Sequence, residues 1–176
     1  MYWIERIWVW LSRMPYSYGF GIQSPNDYCL VRNVVNEHWP YYQYNELGKD
    51  DDALTRKLGK LYFRLANWWQ PSVIASERYQ AYLSAGYRKA VFSENIEAAD
   101  FVVLILEQGT NKESFMSAYN KVKDSALLVV EGIQTNKEIW ESIADDTRAT
   151  IIFDLYYCGI VFFDKKRYKH YYKVNF

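Results

Sequence analysis

An uninterrupted apolar run decides the fold: Phe101-Val102-Val103-Leu104-Ile105-Leu106. Consecutive apolar residues predict a strand that is buried on both of its faces, which is typical of the centre of a parallel sheet. Residues 126–130 and the shorter stretch 73–75 have the same character. We therefore expect these three strands to lie side by side and parallel in one sheet.

Helix signals separate the predicted strands. Residues 77–85 follow a helical pattern that ends at Gly86, because glycine is favoured directly after a helix. The sequence Thr-Asn-Lys-Glu occurs at 110–113 and again at 135–138, where it is typical of a capping box that starts a helix. Residues 89–93 predict one short strand. Strands that alternate with helices indicate a parallel sheet covered by helices.

The C-terminal part follows a different pattern. Residues 149–155 and 160–163 predict two strands joined by a turn at 156–159. We expect the strand at 160–163 to lie antiparallel beside 126–130, and residues 170–176 could add a final edge strand. The predicted fold class is therefore α/β. It is a three-layer Rossmann-like sandwich with a reduced, mostly parallel sheet, a C-terminal antiparallel hairpin and an N-terminal helical extension.

The extension and the core divide near Pro71. Residues 1–70 predict a helical extension packed on the core, and residues 71–176 form the α/β core. Ser24 and Pro25 are typical of a helix start, with the carboxylate of Asp27 reaching back to the cap, and this helix should run to about residue 36. Three aspartates at 50–52 indicate a solvated cap, since consecutive side chains cannot all converge on one metal ion. The helix after them has apolar residues at helical spacing: Leu54, Leu58, Leu61, Leu65 and Trp68.

The N-terminus begins with a helix rich in aromatic residues. Ile4, Ile7, Trp8 and Leu11 recur at the spacing of one helical face. This face could bind a partner or a membrane surface, or it could dock on the core. We favour docking.

Composition excludes several classes of protein. The chain has 21 basic and 21 acidic residues, so its net charge gives no general attraction to nucleic acid or to anionic membranes. No stretch approaches the roughly 20 apolar residues of a membrane span, and the N-terminus does not resemble a signal peptide. Cys29 and Cys158 are too few for a disulfide framework, which favours a reduced, cytoplasmic setting.

The turn after the first core strand is unusual. It reads Ser76-Glu77-Arg78-Tyr79, and no glycine occurs between Gly59 and Gly86. In nucleotide-binding α/β proteins this turn carries glycines, because the backbone must approach the ligand closely. The sequence therefore indicates that nucleotide binding at this turn, and any activity that depends on it, is lost.

Several short segments, weak as individual motifs, form one recognisable pattern through their order and spacing along the chain. They are 21–25 (Gly-Ile-Gln-Ser-Pro), 40–42 (Pro-Tyr-Tyr), 64–65 (Arg-Leu), 130–133 (Val-Glu-Gly-Ile), 137–138 and Trp140, 151–155, 159–163 and 174–176. Together they resemble a Bacteroidetes-type branch of the class I S-adenosylmethionine-dependent methyltransferases. The resemblance covers about two thirds of the chain. It implies a Rossmann-like fold, an acidic, glycine-rich loop after the first strand and an acidic residue for the cofactor ribose.

The chain departs from that pattern where the cofactor would bind. The glycine-rich loop is replaced by residues 75–78, and one strand-helix unit is missing before Phe101. An aspartate pair of the family is replaced by Glu131 and Gly132, and a neighbouring histidine by Gln134. We therefore expect a degenerate relative that binds no cofactor and acts as a binding or interaction module. The alternative is an S-adenosylmethionine-dependent methyltransferase acting on a small molecule.

Four glutamates, Glu77, Glu94, Glu107 and Glu131, fall near the carboxyl ends of predicted strands, where open α/β sheets bind ligands. We expect Ser76, Glu77, Glu107 and Glu131 to mark a vestigial cofactor site. Glu107 and Glu131 could also form an acid/base pair or a divalent-metal site. We favour solvated carboxylates, with no catalytic residue and no metal.

The partner predictions rest on weaker patterns. A basic stretch at 165–173, interleaved with tyrosines, could bind nucleic acid or could protect an exposed edge strand from aggregation, and we favour protection. We expect an unknown protein partner, or a homodimer formed through the aromatic N-terminal part, and we do not expect nucleic acid to bind.

Overall fold

The computed structural model describes the backbone of residues 2–176 and the side chains of residues 7–176. Seven strands form one sheet in the order β2-β1-β3-β4-β6-β5-β7. The strands are β1 (Val73–Ala75), β2 (Val91–Phe92), β3 (Phe101–Ile105), β4 (Leu127–Glu131), β5 (Ile151–Asp154), β6 (Cys158–Phe162) and β7 (His170–Lys173).

Six of the seven strands run in the same direction. β6 alone is antiparallel to its neighbours, and it lies between β4 and β5 with Val129 opposite Ile160 and Ile152 opposite Val161. β7 pairs in parallel with β5 at one edge. The predicted fold class, the insertion of β6 beside β4 and the final edge strand are confirmed.

Helices cover the sheet on both faces. They are α1 (Tyr2–Ser12), α2 (Pro25–Leu30), α3 (Ala53–Trp69), α4 (Gln80–Gly86), α5 (Lys112–Asn120) and α6 (Lys137–Asp145). On the first face, Leu61 of α3 and Leu83 of α4 pack with Phe101 of β3. On the second face, Phe115 of α5 and Ile143 of α6 belong to a separate apolar cluster.

The second face is left partly uncovered where β2 connects to β3. These strands lie on either side of β1, yet only residues 93–100 join them, with a single 3-10 turn at Ile96–Ala98. A crossover between parallel strands usually takes a dozen or more residues and contains a helix. The short crossover confirms that only one short strand separates β1 from the apolar run, and it leaves β1 and β2 without a helix on this face.

Helix starts differ from the sequence prediction in three places. α4 begins at Gln80, not at 77, because Tyr79 has a left-handed backbone with a φ of 63°. The caps of α5 and α6 are Asn111 and Asn136, whose side chains accept hydrogen bonds from the backbone N–H groups three residues later. The threonines predicted as caps bond elsewhere, and Thr110 accepts a hydrogen bond from the N–H of Glu107.

Two predicted roles in the helices are also wrong. Gly86 is the last residue of α4 and does not follow it; a side chain there would overlap the carbonyl of Phe63, so close helix packing explains the glycine. Ser24 caps α2 as expected, but the carboxylate of Asp27 binds the guanidinium of Arg167 and does not reach back to the cap.

The N-terminal helix does not dock through its apolar face. Ile7, Trp8 and Leu11 are 56%, 71% and 52% exposed, so the favoured docked interpretation is wrong for the described side chains of α1. Ile4 lies outside the residues whose side chains are described. The chain is instead anchored directly after this helix, where Arg13 forms an ion pair with Asp154 at 2.8 Å.

Among the helices of residues 2–176, none has both the length and the apolar composition that crossing a bilayer requires.

We predict that Gly159→Ala destabilises the sheet. A Cβ at this position of β6 would overlap the buried ring of Trp140, and overpacking of a core costs about 1–3 kcal/mol. The free energy of unfolding, measured by chemical denaturation, should fall by that amount. Gly159→Ala should lower the free energy of unfolding less in the Trp140→Phe background than in the native chain, because the smaller ring leaves room for the Cβ. Equal decreases in the two backgrounds would contradict the packing explanation.

Candidate functional site

The carboxyl ends of the parallel strands meet at one edge of the sheet and carry a row of acidic residues. Glu77 follows β1, Glu94 follows β2, Glu107 follows β3, and Glu131 and Asp154 end β4 and β5. The chain passes from β1 to β2 on one side and continues with β3 on the other, so the topological switch point lies between β1 and β3. Ligands of open α/β sheets bind at this point.

Glu131 is held inside the protein by two tyrosines. The hydroxyl of Tyr62 donates a hydrogen bond to Oε2 at 2.9 Å, and that of Tyr79 donates to Oε1 at 3.0 Å. The two tyrosine rings pack edge to face with their centroids 4.8 Å apart. The left-handed backbone at Tyr79 belongs to the turn that brings its ring to this position. Glu131 is therefore a partner in an internal polar cluster.

Burial dominates the electrostatics of this cluster. It raises the pKa of Glu131 above its ordinary value, although the hydrogen bonds from Tyr62 and Tyr79 oppose the shift. Cys158 lies opposite Glu131 across the β4–β6 pair, and burial, followed by the charge of Glu131, raises the pKa of its thiol. A protonated thiol is a poor nucleophile, so this cysteine is suited to packing.

Arg78 occupies the mouth of the switch point. Its guanidinium binds Glu107 at 2.6 Å and so links the turn after β1 to the end of β3. Both side chains are more than half exposed, so the ion pair adds only about 0–1 kcal/mol to stability. Its importance is steric, because it places a large side chain between the ends of these two strands.

An open groove lies on the second face of the sheet, beside the region that α5 and α6 cover. It has a volume of about 960 Å³, and it runs between α5 and the ends of β1, β2 and β3. Phe92, Ile96 and Leu104 contribute apolar surface, while Glu77 and Glu94 are its charged residues. No lysine, arginine or histidine lines it within the described part of the chain.

The structure divides the predicted site residues into two groups. Ser76 and Glu77 line the groove, whereas Glu107 is paired with Arg78 and Glu131 is bound by tyrosines. Glu94 joins the first group. Residues 7–176 contain no cluster of three or more His, Cys, Asp or Glu side chains suited to a metal ion. The assignment of Ser76, Glu77, Glu107 and Glu131 to a vestigial cofactor site stays a prediction.

The sequence did not reveal the tyrosines around Glu131 as part of the site. Tyr62 lies in α3, far along the chain, and only the packing of α3 on the sheet brings its hydroxyl to β4. Asn111 also lines the groove, at the start of α5. Its position in the helix-start pattern was visible in the sequence, but its exposure to the groove was not.

Several members of the basic C-terminal stretch have partners within the protein. Arg167 binds Asp27, Lys165 binds Asp124, and Lys169 donates a hydrogen bond to the backbone carbonyl of residue 146. These contacts leave less of the stretch available for a phosphate backbone.

Comparisons of the chain with protein-family models, with curated proteins and with solved structures found no significant match.

We predict that Glu131 makes the stability of the protein depend on pH. Because burial raises its pKa above the ordinary value of 4.5, the folded chain keeps a proton that the unfolded chain releases. The resulting stabilisation is complete below pH 4.5 and is lost as the pH rises through the folded-state pKa of Glu131. Glu131→Gln should remove this step from the free energy of unfolding.

The measurement is chemical denaturation of both proteins at a series of pH values from about 4 to 8, a range set around ordinary carboxyl pKa values. The stability of the native chain minus that of Glu131→Gln should decrease as the pH rises. The exposed Glu141→Gln serves as the control and should follow the native chain. A difference that stays constant over the range would show that Glu131 does not titrate as described.

Proposed function

We propose that the protein is a binding module whose groove takes a basic amphipathic helix from a partner protein. It is a degenerate relative of the methyltransferases that it resembles. The observation that carries this proposal is the open groove on the second face, where the short crossover leaves β1 and β2 without a covering helix.

The inner part of the crevice does not favour methyl transfer. Arg78 and Glu107 bind each other across the switch point, and Tyr79 directs its side chain to Glu131. A cofactor placed there would have to displace these internal contacts. The turn after β1 also lacks the glycines that allow a close backbone approach.

The groove suits a helix for two reasons. In a three-layer α/β fold each face of the sheet is normally covered by helices, so a helix from another protein would complete the layer beside α5. Its apolar side chains would contact Ile96 and Leu104, and its basic side chains would reach Glu77 and Glu94. Because the described lining residues include carboxylates and no cations, the groove favours a basic helix over an acidic one.

We predict that the full chain binds a fluorescein-labelled 18-residue helical peptide of leucine and lysine in preference to the corresponding leucine and glutamate peptide. Fluorescence anisotropy measures both affinities. Glu94→Lys should weaken binding of the leucine-lysine peptide by about tenfold, since a favourable contact becomes a repulsive one. Glu141→Lys, which changes the same charge on the exposed surface of α6, should have little effect.

A steric variant separates groove binding from general attraction to acidic surfaces. Ser114 lines the groove on α5, whereas Ser117 of the same helix does not. Ser114→Trp should weaken peptide binding and Ser117→Trp should not. Equal affinities for the two peptides, or equal effects of the two tryptophans, would contradict the proposal.

One observation favours the alternative, an S-adenosylmethionine-dependent methyltransferase acting on a small molecule. Glu94 follows β2 and lines the same groove as Ser76 and Glu77, and the resemblance implies an acidic residue for the cofactor ribose after a core strand. Its carboxylate could accept hydrogen bonds from ribose hydroxyls.

Calorimetry with S-adenosylmethionine and S-adenosylhomocysteine tests this alternative. Our proposal predicts no measurable heat at concentrations where methyltransferases saturate, because each unpaired polar group of the ligand costs about 1–3 kcal/mol. Micromolar binding that Glu94→Gln weakens and Glu141→Gln leaves unchanged would favour the methyltransferase.

A further inference from the structure

We propose that a second cavity, on the N-terminal side of the molecule, binds an organic anion carried on a planar aromatic ring. The cavity has a volume of about 1000 Å³ and lies between α3, residues 36–45 and the last two residues of the chain. It shares no lining residue with the groove beside α5.

A buried guanidinium forms part of its wall. Arg64 is 7% exposed and donates hydrogen bonds to the carbonyls of Val34 and Val35, at 2.6 and 3.0 Å, and to the hydroxyl of Tyr44 at 3.3 Å. All three acceptors are neutral, and Arg64 forms no ion pair among the described side chains. A buried charge without a direct ion pair is costly, so an anion in the cavity would be stabilised by it.

An unsatisfied donor lies in the same wall. The side-chain amide nitrogen of Asn36 is buried and has no hydrogen-bond partner within the described residues. Buried polar groups nearly always have a partner, so this orphaned N–H₂ group beside the cavity is a donor that a small movement of the Asn36 side chain can present to a ligand acceptor. Lys60, one helical turn before Arg64, adds a second cation and lies 4.8 Å from the ring centroid of Tyr44.

Aromatic rings give the cavity its shape. Tyr41 and Tyr44 pack with Phe63 at centroid distances of 5.0 and 5.2 Å and form one side, and Trp39 and Tyr42 lie exposed at the rim. Such surfaces favour flat ligands, which can stack or pack edge to face.

The charges of the lining favour an anion. Glu37 is its one carboxylate side chain, and it accepts hydrogen bonds from the hydroxyl of Tyr41 at 3.0 and 3.1 Å. Both lysines of the lining lie over aromatic rings, and Lys57 is 4.2 Å from the ring centroid of Phe176. Lys60 is one helical turn from Arg64, so these two cations and Asn36 are the donors assigned to the ligand. Donors of this kind recognise carboxylate or phosphate oxygens.

The test uses the full chain and two matched pairs of probes. Salicylate is compared with salicylamide, and adenosine 5′-monophosphate with adenosine, by isothermal titration calorimetry. At least one anion should bind about tenfold or more tightly than its neutral analogue, because a charged hydrogen bond is about twice as strong as a neutral one. The arm that binds identifies whether the anionic group is a carboxylate or a phosphate.

Variants locate the binding site. Lys60→Gln and Asn36→Ala should each lower the affinity for the anion by about fivefold to tenfold, the effect of losing one hydrogen bond. Lys137→Gln, at the start of α6, should leave that affinity unchanged. Arg64→Lys keeps a cation at the buried position and should weaken binding without unfolding, which circular dichroism checks.

Three outcomes overturn the proposal. One is that neither anion binds at millimolar concentration. The second is that each anion binds no more tightly than its neutral analogue. The third is that Lys60→Gln and Lys137→Gln weaken binding equally, which would show general attraction to the surface.

Discussion

A parallel sheet must be covered on both faces, because its central strands are apolar on both sides. Every main feature of this molecule follows from how the chain meets that constraint. On the first face α2, α3 and α4 bury Phe101, while α5 and α6 bury Val102 on the second face. The β2–β3 crossover is too short to hold a helix, so the second face is left with a groove beside β1.

The same architecture explains why the acidic edge of the sheet is not a uniform site. Carboxylates that follow adjacent parallel strands come together whatever their role. Glu131 is enclosed by α3 and the turn after β1, which supply Tyr62 and Tyr79, and Glu107 is paired with Arg78. Glu77 and Glu94 lie where the covering helix is missing, and they line the open groove.

The sequence contained enough information to predict the sheet. Apolar runs such as 101–106 record burial on both faces directly, and the strand at 160–163 was placed correctly beside 126–130. Helix starts were less predictable, because Thr110 and Asn111 are both good caps and the choice depends on which side chain a neighbouring backbone group engages. The face of α1 was misjudged because its spacing shows amphipathicity but not what covers the apolar side.

The candidate site was predictable only in part. The position of the glutamates at strand ends follows from the strand pattern, and so does their shared edge. Which of them is enclosed depends on contacts between residues far apart in the chain, such as Tyr62 with Glu131, and no local pattern records those contacts. The cavity around Arg64 was not predicted, since an arginine within a helix is ordinarily exposed.

The most direct measurement of the central claim is a methyl NMR titration of the full chain with the leucine-lysine peptide. If a partner helix completes the uncovered face, resonances of Ile96, Leu104 and Ala118, which line the groove, should shift together. Resonances of Leu58 and Leu61, buried on the opposite face, should stay in place. Shifts centred on the first face, or no shifts at saturating peptide, would contradict the account.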